Sequence, residues 1–158
     1  MPRITCKTPA SGKPLSLSLV DIPTTFTTLA NAPDFSVPDP SGSFTRRDPA
    51  DNTRAIRPGE IFLLTPLAVY NKTATARWVE VQLVTEAGTT VLSPGRVTVP
   101  AFDTVYIPVQ GRSLIKRSPI ATAAANGDQL QIRAEDAPAL DVWGAAEERL
   151  SAEHIGVV

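Results

Sequence analysis

The chain has 158 residues, 42% of them hydrophobic and 20% charged, with a formal net charge of −1. This length suits one domain, or one domain with an arm, and the near-neutral balance gives no electrostatic basis for a dedicated nucleic-acid binder. No apolar run approaches the roughly 20 residues that span a bilayer. The opening residues lack the apolar centre of a secretory leader. No membrane insertion is expected, and the protein is expected to be made and used without export. The single cysteine, Cys6, allows no disulfide within the chain.

Residues 1–57 read as an extended, proline-rich N-terminal arm with one or two short strands. Leu15, Leu17 and Leu19 alternate with Ser16 and Ser18, the period of a strand, and residues 23–29 form a second, threonine-rich candidate. From 31 to 58 prolines recur without periodicity. Proline removes a ladder donor and holds the preceding residue extended, so this stretch reads as an ordered arm anchored by Phe35, Val37 and Phe44. The alternative is a flexible linker.

A Pro58-Gly59 turn opens the compact part, residues 58–145. Strands are predicted at 60–70, 76–85, 90–93, 96–99, 103–109, 129–134 and 139–144. Turn signals separate them at Glu86-Ala87-Gly88, Ser93-Pro94-Gly95, Val99-Pro100-Ala101 and Asn126-Gly127-Asp128. Val79, Val81 and Leu83 form one apolar row and Leu130, Ile132 and Ala134 another, while Trp78, Glu80, Gln82, Gln129, Gln131 and Arg133 take the wet side. The run 60–70 is apolar on both faces, as a central strand would be. The fold expected is all-β, an antiparallel β-sandwich of jelly-roll or immunoglobulin-like type with about 7–8 strands. Residues 119–126 are alanine-rich and read as a helical turn or a loop. Residues 146–158 form a C-terminal tail whose helix formers predict a short helix and whose end, with Ile155, is apolar enough to be covered by a partner.

The residues with catalytic potential do not assemble into a reaction centre. The only histidine, His154, sits near the terminus, a poor place for a preorganised base. One cysteine and one histidine cannot build a structural zinc site. Asp34, Asp39, Asp48 and Asp51 are interleaved with Arg46, Arg47 and Arg54, which points to mutual pairing rather than to a bound cation. Glu80 and Glu86 on or beside the Trp78 strand could form a glycosidase pair, but read as solvated strand charges. Asn71-Lys72-Thr73 matches a glycosylation acceptor and reads as a polar turn. No enzyme activity, catalytic residue, metal or cofactor is expected. Trp78 and Trp143, with Tyr70 and Tyr106, favour core packing and subunit contact over a carbohydrate platform. Cys6, beside Arg3 and Lys7, is either a free thiol or the site of an intermolecular disulfide. The candidate interface set is Phe35, Val37, Phe44, Trp78, Trp143 and Ile155.

Several features occur in series after residue 57. A Pro58-Gly59 turn leads to a strand ending at Asn71 and a short Thr/Ala connector. VEVQLV then runs to Gly88, and Val99-Pro100-Ala101 precedes Thr104 and VYIPVQG. Gly127-Asp128-Gln129-Leu130 opens LQIRA. This series resembles a small β-sandwich module of tailed-bacteriophage virion proteins, in whose tail, fibre and appendage subunits the VPA turn and the GD-initiated strand recur. The resemblance implies a non-enzymatic structural subunit of a tail, neck, fibre or head exterior. Its partners would be itself, as a trimer or ring, and other virion proteins, with a host-surface glycan as a further candidate. Its location would be the virion, after assembly in the bacterial host cytoplasm. The resemblance carries no active site.

Overall fold

The computed structural model describes residues 13–42, 47–48, 50–85, 88–115 and 127–150. Among these residues the chain forms strands and turns and no helix. The strands are β1 (Lys13–Leu19), β2 (Thr27–Asn31), β3 (Asp34–Pro38), β4 (Arg47–Asp48), β5 (Asp51–Leu63), β6 (Leu67–Asn71), β7 (Arg77–Thr85), β8 (Gly88–Val99), β9 (Thr104–Ile107), β10 (Ser113–Ile115), β11 (Gln129–Ala134) and β12 (Leu140–Leu150). All pair antiparallel. One sheet of eight strands runs β10-β5-β12-β6-β9, with β1 added on β12 and with β3 and β4 on β5. A second sheet of four strands runs β2-β11-β7-β8.

The alternation seen in sequence places the core. Val79 and Val81 of β7 and Leu130, Ile132 and Ala134 of β11 point inward from the smaller sheet. Leu17, Ile61, Leu63, Leu67, Val69 and Val142 meet them from the larger one, and all belong to one buried cluster. Each such aliphatic side chain, taken from water to a packed interior, contributes about 1.5–3 kcal/mol.

Strand β12 is an uninterrupted spine, and its neighbours break beside it. Leu63 pairs with Ala146 and Ala68 with Trp143, so residues 64–67 stand opposite only residues 144–145. At this bulge the amides of Leu64 and Thr65 both donate to the Ala145 carbonyl, at 3.0 and 3.3 Å, and the Ala145 amide donates to Thr65 Oγ1 at 2.9 Å. One strand further out, β9 and β10 break at the same level: Ile107 pairs with Leu67 and Ser113 with Phe62. Aligned interruptions bend and coil a sheet, and part of the fold is curled into a half-barrel. The all-β, antiparallel expectation therefore holds, in an arrangement with more strands and more branching than a single sandwich of seven or eight.

Residues 13–32 lie in the body of the fold, where an arm was expected. Strand β1 pairs along β12 from Lys13–Glu148 to Leu19–Val142, β2 edges the smaller sheet, and Leu17, Ile22, Ala30 and Ala32 are buried. The short strands read at Leu15–Leu19 and in the threonine-rich run are thus bound by long-range partners that local sequence does not reveal. Residues 34–38, 47–48 and 51–58 form a three-stranded extension, with β5 between β3 and β4.

Pro58-Gly59 is not a turn but lies inside β5. Gly59 is required there by the Phe35 ring: a Cβ at Gly59 would sit 2.4 Å from Phe35 Cε2 and 2.9 Å from Pro33 Cγ. The turn expected at Ser93-Pro94-Gly95 falls within β8, where Glu80 faces Arg96 but Gln82 faces Val91, and Gly95 takes a φ of 83°. The helix expected from residue 145 onward is instead the second half of β12. Ala146, Glu147 and Glu148 pair with Leu63, Phe62 and Ile61 on one side and with Leu15, Pro14 and Lys13 on the other. Two flanking strands and a buried Ala146 outweigh helix propensities of a few tenths of a kcal/mol per residue, about the scale of that preference.

Candidate functional site

The outward faces of the two sheets carry the functional candidates, and they differ in character. On the smaller sheet, β7 aims Trp78, Glu80 and Gln82 outward, β11 adds Gln129, Gln131 and Arg133, and β8 adds Arg96 and Thr98. Register puts Arg96 and Arg133 on either side of Glu80, which accepts from Arg96 Nε at 3.1 Å and from an Arg133 amino group at 3.3 Å. The Arg96 guanidinium lies 4.0 Å from the centre of the Trp78 ring, and Arg133 stands 4.5 Å from the Phe26 ring and 5.7 Å from Trp78. Partial burial acts to raise the Glu80 pKa, but the hydrogen bonds and charges of the two arginines hold it below the ordinary glutamate value. An amide ladder continues along the same face. Gln82 donates to Gln131 at 2.7 Å, Gln131 to Gln129 at 3.1 Å, and Thr28 to Gln129 at 3.3 Å. Trp78 is half-buried here under its own chain's arginines.

The larger sheet shows the opposite arrangement. Trp143 and Tyr106 remain exposed, at 47% and 69%, on either side of Ala68, which pairs with both. The next row on this face holds Thr104, Tyr70 and Asp141. At its corner Asp21, in a left-handed turn with φ of 58°, donates its amide to Asp141 at 2.9 Å. Lys72 contacts Asp21 and, at 2.9 Å, Asp141. Hydrogen bonding first to Asp21 and then to Asp141 raises the Lys72 pKa. For Asp141, burial acts upward but is overcome by the Asp21 amide and Lys72, so its carboxyl sits below the ordinary range.

The remaining polar side chains are engaged in holding the fold. Asn71 is fully buried: its Oδ1 accepts from the Thr73 amide and hydroxyl at 2.9 and 2.7 Å, and its Nδ2 donates to the carbonyls of Thr75 and Val99 at 2.8 and 3.0 Å. A side chain so placed cannot serve as a glycan acceptor, and the polar-turn reading of Asn71-Lys72-Thr73 stands. Asp128 Oδ2 accepts from the Ile115 amide at 3.3 Å. Glu60 accepts from Arg149 Nε at 2.6 Å, while the Arg149 guanidinium lies 4.5 Å from the Phe62 ring. Asp39 pairs with Arg47, and the Asp51 pKa is lowered by the Thr53 hydroxyl and then its amide. The pairing of loop acids with arginines is thus realised at Asp39. Among the described residues no group of three or more His, Cys, Asp or Glu side chains is placed to hold a metal ion.

Of the interface set, the structure separates Trp78 from Trp143, putting them on different sheets facing opposite ways. Phe35 and Val37 lie half-buried on β3. Cys6, Phe44 and Ile155 lie outside the described residues, as do His154, Glu86 and residues 119–126. Trp143 and Tyr106 were grouped in sequence with Trp78 and Tyr70, but that these two alone flank Ala68 was not foreseen. Only strand order could reveal it, because 37 positions of sequence separate them. Comparison of the chain with protein-family models, with curated proteins and with solved structures finds no match.

Proposed function

We propose that the chain is a non-enzymatic structural subunit of a bacteriophage or phage-like particle, building or decorating its tail, neck or head exterior. It joins copies of itself, as a trimer or ring, and other virion proteins, and its final location is the virion. In this reading the two-sheet body is an elaborated jelly-roll or immunoglobulin-like sandwich.

The observation that carries the proposal is the three-stranded extension on β5. This strand leaves the body and continues for its N-terminal half between β3 and β4, whose contacts are made chiefly with β5 itself. Phe35 and Val37 sit half-buried on one face of it, opposite Arg57 and Ala55, and Ile56, also half-buried, pairs with Ser36 on the other face. An extension held by one strand and carrying partly covered apolar side chains supplies contact area to a neighbouring subunit without needing its own core. Proline in its loops lowers the entropy lost on ordering. Cys6, ahead of β1, is available in this reading for a covalent link between subunits.

Light scattering on the purified full chain tests the proposal. The expected mass is that of a trimer or a larger closed ring, and Val37→Glu lowers it to the monomer with the β-sheet circular dichroism unchanged. A monomer at the highest accessible concentration, or an oligomer indifferent to Val37→Glu and to a matching change at Phe35, overturns it.

A further inference from the structure

One row of side chains crosses the outward face of the larger sheet: Tyr106 on β9, Ala68 on β6, Trp143 on β12 and Ser18 on β1, each directly opposite the next. Ala68 points away from the core that Leu67 and Val69 enter, yet it is only 4% exposed, so its neighbours close over it. The face thus carries two exposed aromatic side chains, one on each side of a covered alanine. The backbones that carry the two rings are two strand spacings apart, roughly 10 Å.

Most residues beside this row are small or polar, with Val20 and Leu64 the exposed apolar side chains nearby. Ser16 and Ser18 line the β1 flank, Ala145 stands opposite Ser16, and Thr104, Tyr70 and Asp141 form the adjacent row. Lys72 and Asp141 are bound to each other at its edge. Hydroxyls and a carboxylate–ammonium pair lie beside the two exposed rings and separate them from other apolar side chains. A protein partner is served best by a contiguous apolar centre. A pyranose, by contrast, offers C–H faces to aromatic rings and hydroxyl edges to such polar groups. Trp78 is excluded from this role, since Arg96 already lies over its ring.

We propose that Trp143 and Tyr106 form a stacking platform for an extended, β-linked chain of neutral pyranoses, with Ser18, Thr104 and the Lys72–Asp141 pair at its hydroxyl edges. The two strand spacings between the backbones that carry these rings, roughly 10 Å, suit alternate sugars of an extended β-1,4-linked chain, whereas an α-1,4-linked chain curves and turns its faces away. This platform goes beyond the structural role above and uses a different surface from the β5 extension.

Isothermal titration of the full chain with cellohexaose, mannohexaose and chitohexaose, and with maltohexaose as the curved control, tests the platform. Saturable binding of at least one β-linked chain is expected. Tyr106→Ala and Trp143→Ala should each weaken it about tenfold or more, the scale of one lost ring contact, while Trp78→Phe leaves it unchanged. Tyr106 is 69% exposed, so its removal keeps the test independent of folding. The proposal is overturned by absence of saturable binding, by binding that survives Tyr106→Ala, or by preference for maltohexaose. It is equally overturned if these substitutions change the subunit mass in light scattering and not the saccharide affinity, because the face is then a contact between copies of the chain.

Discussion

The Arg96 guanidinium lies 4.0 Å above the Trp78 ring, and Glu80 on the neighbouring strand holds it there with a hydrogen bond of 3.1 Å. A tryptophan on the solvent row of its strand is thereby covered without leaving that row. Removing the guanidinium in Arg96→Ala should shift the Trp78 emission to longer wavelength. The stability cost should be about 0.5–1 kcal/mol, the scale of an exposed cation–π contact with a screened ion pair. Arg96→Lys should restore part of both effects. An unchanged emission maximum in Arg96→Ala, with Trp143→Phe as the background to remove the second indole, would show that Trp78 is covered by something else.

The same cluster sets a pH dependence. Glu80 titrates below the ordinary glutamate value because Arg96 and Arg133 outweigh its partial burial. A carboxylate with a depressed folded-state pKa contributes stability that is fully present above its unfolded-state value. That stability disappears as pH falls through the lower, folded value. Thermal midpoints should therefore separate the native chain from Glu80→Gln at pH 7 and converge in the acid range, below the unfolded-state glutamate value. A gap between the two that stays constant down to pH 3 would mean that the charge on Glu80 is not what the arginines hold.

How far the sequence foretold this arrangement depends on whether a side chain's partner lies on its own strand. The two-residue alternation in β7 and β11 was legible, and with it the inward row of Val79, Val81, Leu130 and Ile132. Long-range pairing was not legible. Residues 145–150 carry helix formers, yet they complete β12 because β1 and β5 flank them. Gly59 looked like a turn glycine beside Pro58, yet it is a flat spot for the Phe35 ring. The aromatic row of the larger sheet exists only because β6 separates β9 from β12, a matter of strand order that no local pattern encodes.

Asn71 shows what such order demands of a single polar residue. Its amide joins the end of β6 to the carbonyl of Val99 at the end of β8, and closes the turn through Thr73 and Thr75. Asn71→Ala leaves the buried Val99 carbonyl and the part-buried Thr73 amide without this partner. It should cost about 2–4 kcal/mol in urea unfolding, in keeping with the loss of several buried hydrogen bonds. Asn71→Asp should be no milder, because a carboxylate cannot donate to the two carbonyls that Nδ2 serves. A cost below about 1 kcal/mol for Asn71→Ala would mean that the connector repacks and that Asn71 is a local turn residue only.

One hydroxyl adds to the two backbone bonds that hold the bulge beside β12. Ala145 directs its amide at Thr65 Oγ1 at 2.9 Å, while its carbonyl receives the amides of both Leu64 and Thr65. The extra residues of the β5–β6 strand are thus tied to one residue of the spine, at the level where β9 and β10 also break. Thr65→Val keeps the shape and removes the acceptor. Because the position is exposed, water can replace the hydroxyl, so the global cost should be small, about 1 kcal/mol. The local effect should be larger. Amide exchange at Ala145 should accelerate about tenfold relative to Val142 in the same strand, since opening at the bulge no longer breaks the bond to Thr65. Thr65→Ser, which retains the oxygen, should restore slow exchange. Equal exchange at Ala145 in the native chain and in Thr65→Val would show that the two amides donated to the Ala145 carbonyl hold the bulge alone.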